Sequence, residues 1–261
     1  MNYHSLNHIC SFRFALRLSA VVGMILLNAG GCNLSGKPDQ ADLPVSPEQI
    51  ANFDQLYTTN CAGCHGATGK LGPAPPLNDP LFVAIIPEDE LHRVIGDGRA
   101  GTLMPAFATV NGGSLTDKQV KLLAEGVKSH WKSEAPLDHS PPAYAITNEP
   151  QTIPAVEEHT RRLAIYQRAC AGCHGPDGSG SQGNRSGPGA INAPAFLALI
   201  SNQALRRIII TGRPDLGMPT YAEKRGRTAE YEPISTAEID DLVALLAQWR
   251  SVGSTAVAEQ H

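Results

Sequence analysis

The hexapeptide Cys-Ala-Gly-Cys-His-Gly occurs twice, at residues 61–66 and 170–175, and it constrains the fold more than any other feature of the chain. Two thiols separated by two residues, with a histidine directly after them, form the attachment pattern of a c-type haem. The chemistry sets the spacing. Two thiols add to the two vinyl groups of one porphyrin, a short turn spans that distance, and the adjoining imidazole presents a nitrogen to the iron. A redox dithiol, a structural disulfide or a zinc site built from both pairs would use similar residues. Two identical copies, each followed at once by His, favour haem. On this reading Cys61, Cys64 and His65 hold one covalent haem c, and Cys170, Cys173 and His174 hold a second. The remaining cysteines are Cys10 and Cys32, so none is spare for a structural disulfide or a thiolate ligand.

The rest of the chain repeats around these motifs. With Cys61 laid on Cys170, Tyr57 meets Tyr166 and Gly69 meets Gly178. After a short adjustment, Asn78, Pro80 and Phe82 meet Asn192, Pro194 and Phe196. Leu91, Arg93 and Gly98-Arg99 then meet Leu205, Arg207 and Gly212-Arg213, and Met104-Pro105 meets Met218-Pro219. A further adjustment lays Leu115-Thr116 on Ile234-Ser235. One domain has been duplicated.

Helices are expected at matched places. Ser46-Pro47-Glu48-Gln49 reads as a cap, a first-turn proline and a third-position glutamine, so the first helix is expected to start there and deliver Cys61. In the second copy Pro154 is expected to open a helix leading through Leu163 and Tyr166 to Cys170. Long loops containing Pro and Gly are expected over 66–87 and 175–201, then helix over 88–95 and 202–210. Thr116-x-x-Gln119 and Ser235-x-x-Glu238 are capping-box patterns for the last helix of each copy. The apolar stripes Val120, Leu123, Val127 and Ile239, Leu242, Leu246 are expected to face the core, with Trp131 and Trp249 closing the helices. The class is therefore all-α, with domains over 46–132 and 155–252, a Pro-rich linker over 133–154 and a tail over 253–261.

Beyond the initiator and Met24, the methionines are Met104 and Met218, matched in the repeat and each followed by Pro. A thioether is a soft ligand that favours ferrous iron, so these two are the candidates for the sixth ligand of each haem. A buried methionine filling a core gap is the alternative. His92 is the main competitor in the first copy, but Arg206 stands at its repeat position, and it is expected on a partly exposed helix face. His130, His139, His159 and His261 are expected to be bystanders.

Residues 1–31 combine Arg13 and Arg17, the apolar run 18–27 and a small-residue end. That pattern describes an export signal, and the run is short of the roughly 20 apolar residues a spanning helix needs. Ala29-Gly30-Gly31-Cys32 resembles a bacterial lipobox, with Ala29 where Leu is usual. Lipidation of Cys32 is expected, which makes 32–45 a tether; simple cleavage or a retained anchor are the alternatives. The chain is expected to be exported to the cell envelope or periplasm. Its formal net charge of −4 gives no basis for nucleic-acid binding.

The residues over about 46–132 and 155–252, with C-x-x-C-H and a downstream Met-Pro in each, resemble class I c-type cytochromes in tandem form. The resemblance implies small helical domains with one exposed haem edge each and electron transfer between redox protein partners, with no substrate chemistry of the chain's own. It also implies that a proline carbonyl holds each histidine's other nitrogen, with Pro73, Pro75 or Pro76 and Pro188 as candidates. Arg99 and Arg213, five residues before each methionine, either pair with a haem propionate or lie free on a loop. The leading expectation is an electron carrier or relay. The alternatives are the two-haem subunit of a membrane oxidase or quinol-oxidising complex and, further off, a two-haem peroxidase-like enzyme.

Overall fold

A computed structural model describes residues 39, 43–133, 140–146, 155–180 and 187–258, with side chains as far as 251. The export segment, Cys32, His139, Pro154 and His261 lie outside the described residues. The chain divides into two units, Met1–Ser46 and Pro47–His261. In the first, the described residues 39 and 43–46 are exposed. The second holds both copies of the repeat. Among the described residues it contains helices and two isolated bridges, Ala108–Leu115 and Arg213–Met218, with no extended strand.

In the first copy α1 is Phe53–Asn60, α2 Ala62–His65, α3 Pro80–Ile85, α4 Glu88–Asp97 and α5 Asp117–His130. In the second, α6 is Ala155–Ala169, α7 Ala171–His174, α8 Pro194–Leu199, α9 Asn202–Thr211 and α10 Thr236–Ala258. Both expected capping boxes form. Thr116 Oγ1 accepts from Gln119 N at 3.3 Å while Gln119 Oε1 accepts from Thr116 N at 3.0 Å. Ser235 and Glu238 make the same exchange at 3.3 and 2.8 Å. Each box satisfies two orphan donors of a first turn.

Three sequence expectations need correction. The first helix starts at Phe53 under an Asn52 cap, and Pro47–Gln49 is only a 3-10 turn. The reason is tertiary: Gln119 Nε2 donates to the carbonyls of Pro47 and Ile50 at 2.8 and 3.0 Å, which takes them out of a helical ladder. The loops after each histidine are not irregular throughout, because α3 and α8 interrupt them. Proline at their first turn costs no hydrogen bond there, and Asp79 caps α3 by accepting from Phe82 N at 2.7 Å. The last helix does not close at Trp249 but runs on to Ala258.

In both copies a cation on the last helix closes the short one. Lys128 Nζ donates to the Ile86 carbonyl at 2.7 Å and also to that of Val83. Arg250 donates to the matching carbonyls of Leu197 and Ile200 at 2.7 and 2.8 Å. The cores are built from the expected stripes: Val120, Leu123 and Val127 are buried in one, and Ile239, Leu242 and Leu246 in the others. In the first copy α1 crosses α5 so closely that a Cβ on Gly126 would meet the Phe53 ring at 2.0 Å. The second copy fastens α6 to α10 through buried Asp241, which accepts from Arg161 at 2.8 and 2.9 Å.

The copies are docked on each other, with α3 packed against α9. The linker takes part. Tyr144, 5% exposed, joins the first core beside Phe82, with ring centroids 6.4 Å apart. Fully buried Arg206 on α9 donates to the carbonyls of Ala143 and Tyr144 at 2.8 to 3.2 Å and pairs with Asp240. The part of the linker over 140–146 is thus fastened to both copies and is not a free spacer.

Candidate haem sites

Each cysteine–histidine motif forms one helical turn at the end of a longer helix. Tyr57 and Tyr166, buried in matched places, donate their hydroxyls at 2.8 Å to the carbonyls of Gly66 and Gly175. That bond fixes the residue following each histidine. Cys61 and Cys64 leave α1 one turn apart, with Cys61 half-buried and Cys64 exposed; Cys170 and Cys173 are both half-buried. No disulfide joins either pair. Burial pushes the Cys61 and Cys170 thiols up to about 11, which favours the neutral thiol over the thiolate. Among the described residues no three His, Cys, Asp or Glu side chains converge on a common point, so the two pairs do not meet in a zinc site.

The histidines differ in one respect. His65 Nδ1 lies 3.0 Å from the Pro75 carbonyl, which picks one of the three candidate prolines. An acceptor there keeps the proton on Nδ1 and leaves Nε2 free as a metal donor. His174 Nδ1 is buried and has no hydrogen-bond partner among the described residues. The candidate Pro188 does not serve it; its carbonyl crowds Gly180, where a Cβ would stand 2.7 Å away. The backbone of Gly189 is the group that favours protonation of His174, without a hydrogen bond of good geometry. Desolvation lowers the pKa of both imidazoles, favouring the neutral form that ligates metal.

Met104 is half-buried and packs on the same core cluster as Cys61 and Ala62. Its carbonyl accepts from Arg99 N at 3.0 Å, and the charge of Arg99 reaches His65, so the methionine loop and the histidine border one region. Met218 is half-buried, and its carbonyl accepts from Arg213 N at the same distance. Arg213 pairs with Asp215 at 2.7 and 2.9 Å; Arg99 donates to the Tyr144 hydroxyl at 3.2 Å. The other histidines lie elsewhere. His92 sits 3.1 Å from Asp117, His130 packs tilted on Phe53 and edge-on to Trp131, and His159 bonds Gln248 at 3.1 Å. Sequence reasoning missed the segment 222–233, longer than its counterpart 108–114, which lies on the second cysteine turn. Arg227 in it donates to the carbonyls of Ala169 and Thr220, and a Cβ on Gly226 would stand 2.9 Å from the Cys173 sulfur.

These donor sets fit a covalently held haem: paired thiols on one turn, an adjoining imidazole whose neutral form burial favours, and a soft thioether loop beyond. The family described as cytochrome C oxidase, cbb3-type, subunit III matches residues 48–125 and 157–245, one match per copy. A curated relative, the cbb3-type cytochrome c oxidase subunit CcoP of Rubrivivax gelatinosus, is 27% identical over 183 residues, 70% of this chain and 51% of the relative. The chain spans about half the length of that relative.

Proposed function

The chain belongs to the cbb3-type cytochrome c oxidase subunit III family, and from that premise we propose that it is a two-haem c-type cytochrome that relays electrons in the cell envelope. The observation that carries this reading is the Cys-Ala-Gly-Cys-His turn at the end of a helix in both family matches, each with a Met-Pro loop downstream. Cys61 and Cys64 hold one haem and Cys170 and Cys173 the other. His65 and His174 would supply an imidazole nitrogen to the iron, and Met104 and Met218 a thioether sulfur. Bound haem supplies a one-electron couple. The chain's own residues tune it: the Pro75 carbonyl fixes the His65 tautomer, the helix cores exclude water, and the thioethers favour the reduced iron.

The domains carrying this are 46–132 and 155–252, after an export segment over 1–31 and a tether over 32–45. Lipid on Cys32 is the membrane attachment that the small residues Ala29-Gly30-Gly31 and the short apolar run 18–27 support. The named function of the relative favours a second reading, in which the chain is the cytochrome subunit of a membrane oxidase complex. Neither reading gives the chain substrate chemistry of its own.

Fractionation of native membranes in mild detergent tests both. Co-elution with oxidase activity supports the subunit; elution alone, with fast electron exchange with a small redox protein, supports the free relay. Steady peroxide turnover by undamaged protein contradicts both.

A further inference from the structure

Arg207, on α9 of the second copy, is 9% exposed and makes its contacts in the first copy. Its guanidinium lies 3.5 Å above the centroid of the Phe82 ring, and one Nη2 hydrogen is donated to the Pro76 carbonyl. Pro76 directly follows Pro75, whose carbonyl holds His65. Adjacent carbonyls of one loop therefore bind the first histidine and a cation from the other copy. Among the described residues no carboxylate forms an ion pair with Arg207. Asp79, whose Oδ1 caps α3, is near enough for its charge to favour that of Arg207 but makes no ion pair with it. Arg99 and Arg213 are near enough to oppose its charge.

This is a costly placement. A cation out of water without a directly paired carboxylate is penalised by several kcal/mol, which a nearby but unpaired Asp79 offsets only in part and like-charged neighbours increase. Burial lowers the pKa of Arg207 only to about 10, so it remains charged at neutral pH. A guanidinium has five N–H donors in a planar fork, and one carbonyl accepts one of them. The residue at the same repeat position shows the ordinary solution. Arg93 is exposed and paired with Glu90 at 2.8 Å and Asp97 at 3.6 Å.

What the site lacks is an anion whose carboxylate suits a guanidinium fork, beside His65 and within reach of Arg99. We propose that Arg207, together with Arg99, receives the propionate carboxylates of the haem held by Cys61, Cys64 and His65, so that the second copy completes the first copy's haem site. This rests on the haem reading of that motif. Arg207 is then a positioning residue that binds the haem periphery across the domain boundary. Its fixed charge favours the ferrous state of that haem alone, and haem loading and domain docking reinforce each other.

The test is a spectroelectrochemical titration of the exported holoprotein, wild type against Arg207→Gln, Arg207→Lys and Arg93→Gln. Arg207→Gln keeps both haems but lowers one potential, the one that Met104→Ala also lowers. Its ferrous-to-ferric ratio at fixed potential falls on the order of tenfold. The other component stays unchanged, Arg207→Lys recovers part of the shift, and Arg93→Gln shows none. Unchanged potentials, or equal shifts in both, overturn the proposal and leave Arg207 as a docking residue only. Should Arg207→Gln fail to accumulate, Arg207→Lys and Arg99→Gln carry the test, and no shift in either overturns it. A wild-type chain without haem on Cys61 and Cys64 fails the haem reading instead, and the covalent haem count shows this before any titration.

Discussion

The two copies share the frame around the cysteine–histidine turn and differ in nearly everything outside it. Tyr57 and Tyr166 make the same bond, the Met104 and Met218 carbonyls accept from matched arginines, and Lys128 and Arg250 close the same short helix. The first copy crosses its terminal helices with Phe53 on Gly126 and a cluster of aromatic rings; the second uses Arg161 and Asp241. His92 is half-exposed where Arg206 is fully buried, and Arg93 faces solvent where Arg207 faces the neighbouring copy. After duplication the attachment frame stayed while the second copy's α9 became a docking element. That difference teaches that equivalent positions in a repeat are not equivalent in energy.

The sharpest contrast lies at the His92–Arg206 position. Arg206→Ala removes the ion pair with Asp240 and the buried donors to the Ala143 carbonyl, while Gln203 still donates to the Tyr144 carbonyl; a loss of about 3–5 kcal/mol is expected, read by thermal unfolding. His92→Ala removes one half-exposed pair and is expected to cost within about 0.5 kcal/mol. Similar losses at both positions would break the comparison.

Next come the helix crossings. Gly126→Ala puts a methyl against the Phe53 ring and is expected to destabilise the first copy by about 1–3 kcal/mol, with little dependence on salt. Asp241→Asn leaves Arg161 without its charge partner, and the loss should be of similar size. Hydrogen exchange read on amides of α5 and of α10 follows each copy by itself and separates the two.

A smaller effect concerns access. Cys64 is exposed, whereas Cys173 lies under the segment around Gly226 and Arg227. Trimming 222–233 to the length of 108–114 is expected to speed reduction of the second haem by a small reagent several-fold, leaving the first unchanged. Equal rates before trimming would mean that the segment shields nothing.

Much of this frame was legible in the sequence because it is local. The capping boxes at Thr116 and Ser235 need only a side chain and the backbone three residues away, and the stripes Val120–Leu123–Val127 and Ile239–Leu242–Leu246 follow helical spacing. Misjudged features depend on distant partners. Gln119 removes Pro47–Gln49 from the first helix, and nothing near Pro47 announces it. The helices α3 and α8 carried a signal, proline at the first turn, with Asp before it in one copy, but each is under two turns long and sits among prolines and glycines. Tyr144, an aromatic residue in a proline-rich stretch, hinted that the linker docks. For the haem site, the spacing singled out thiols, histidines and methionines. The family resemblance left Pro75 among three prolines and offered Pro188, where no bond forms; neither had a means of finding Arg207, whose contacts lie in the other copy.

The most direct test of the account is a peptide map by mass spectrometry of the exported protein, searched for haem bound through thioethers. The prediction is two haems per chain, one on the peptide with Cys61 and Cys64 and one on the peptide with Cys170 and Cys173. A chain with unmodified thiols at either motif, or with a disulfide or zinc there, would contradict it.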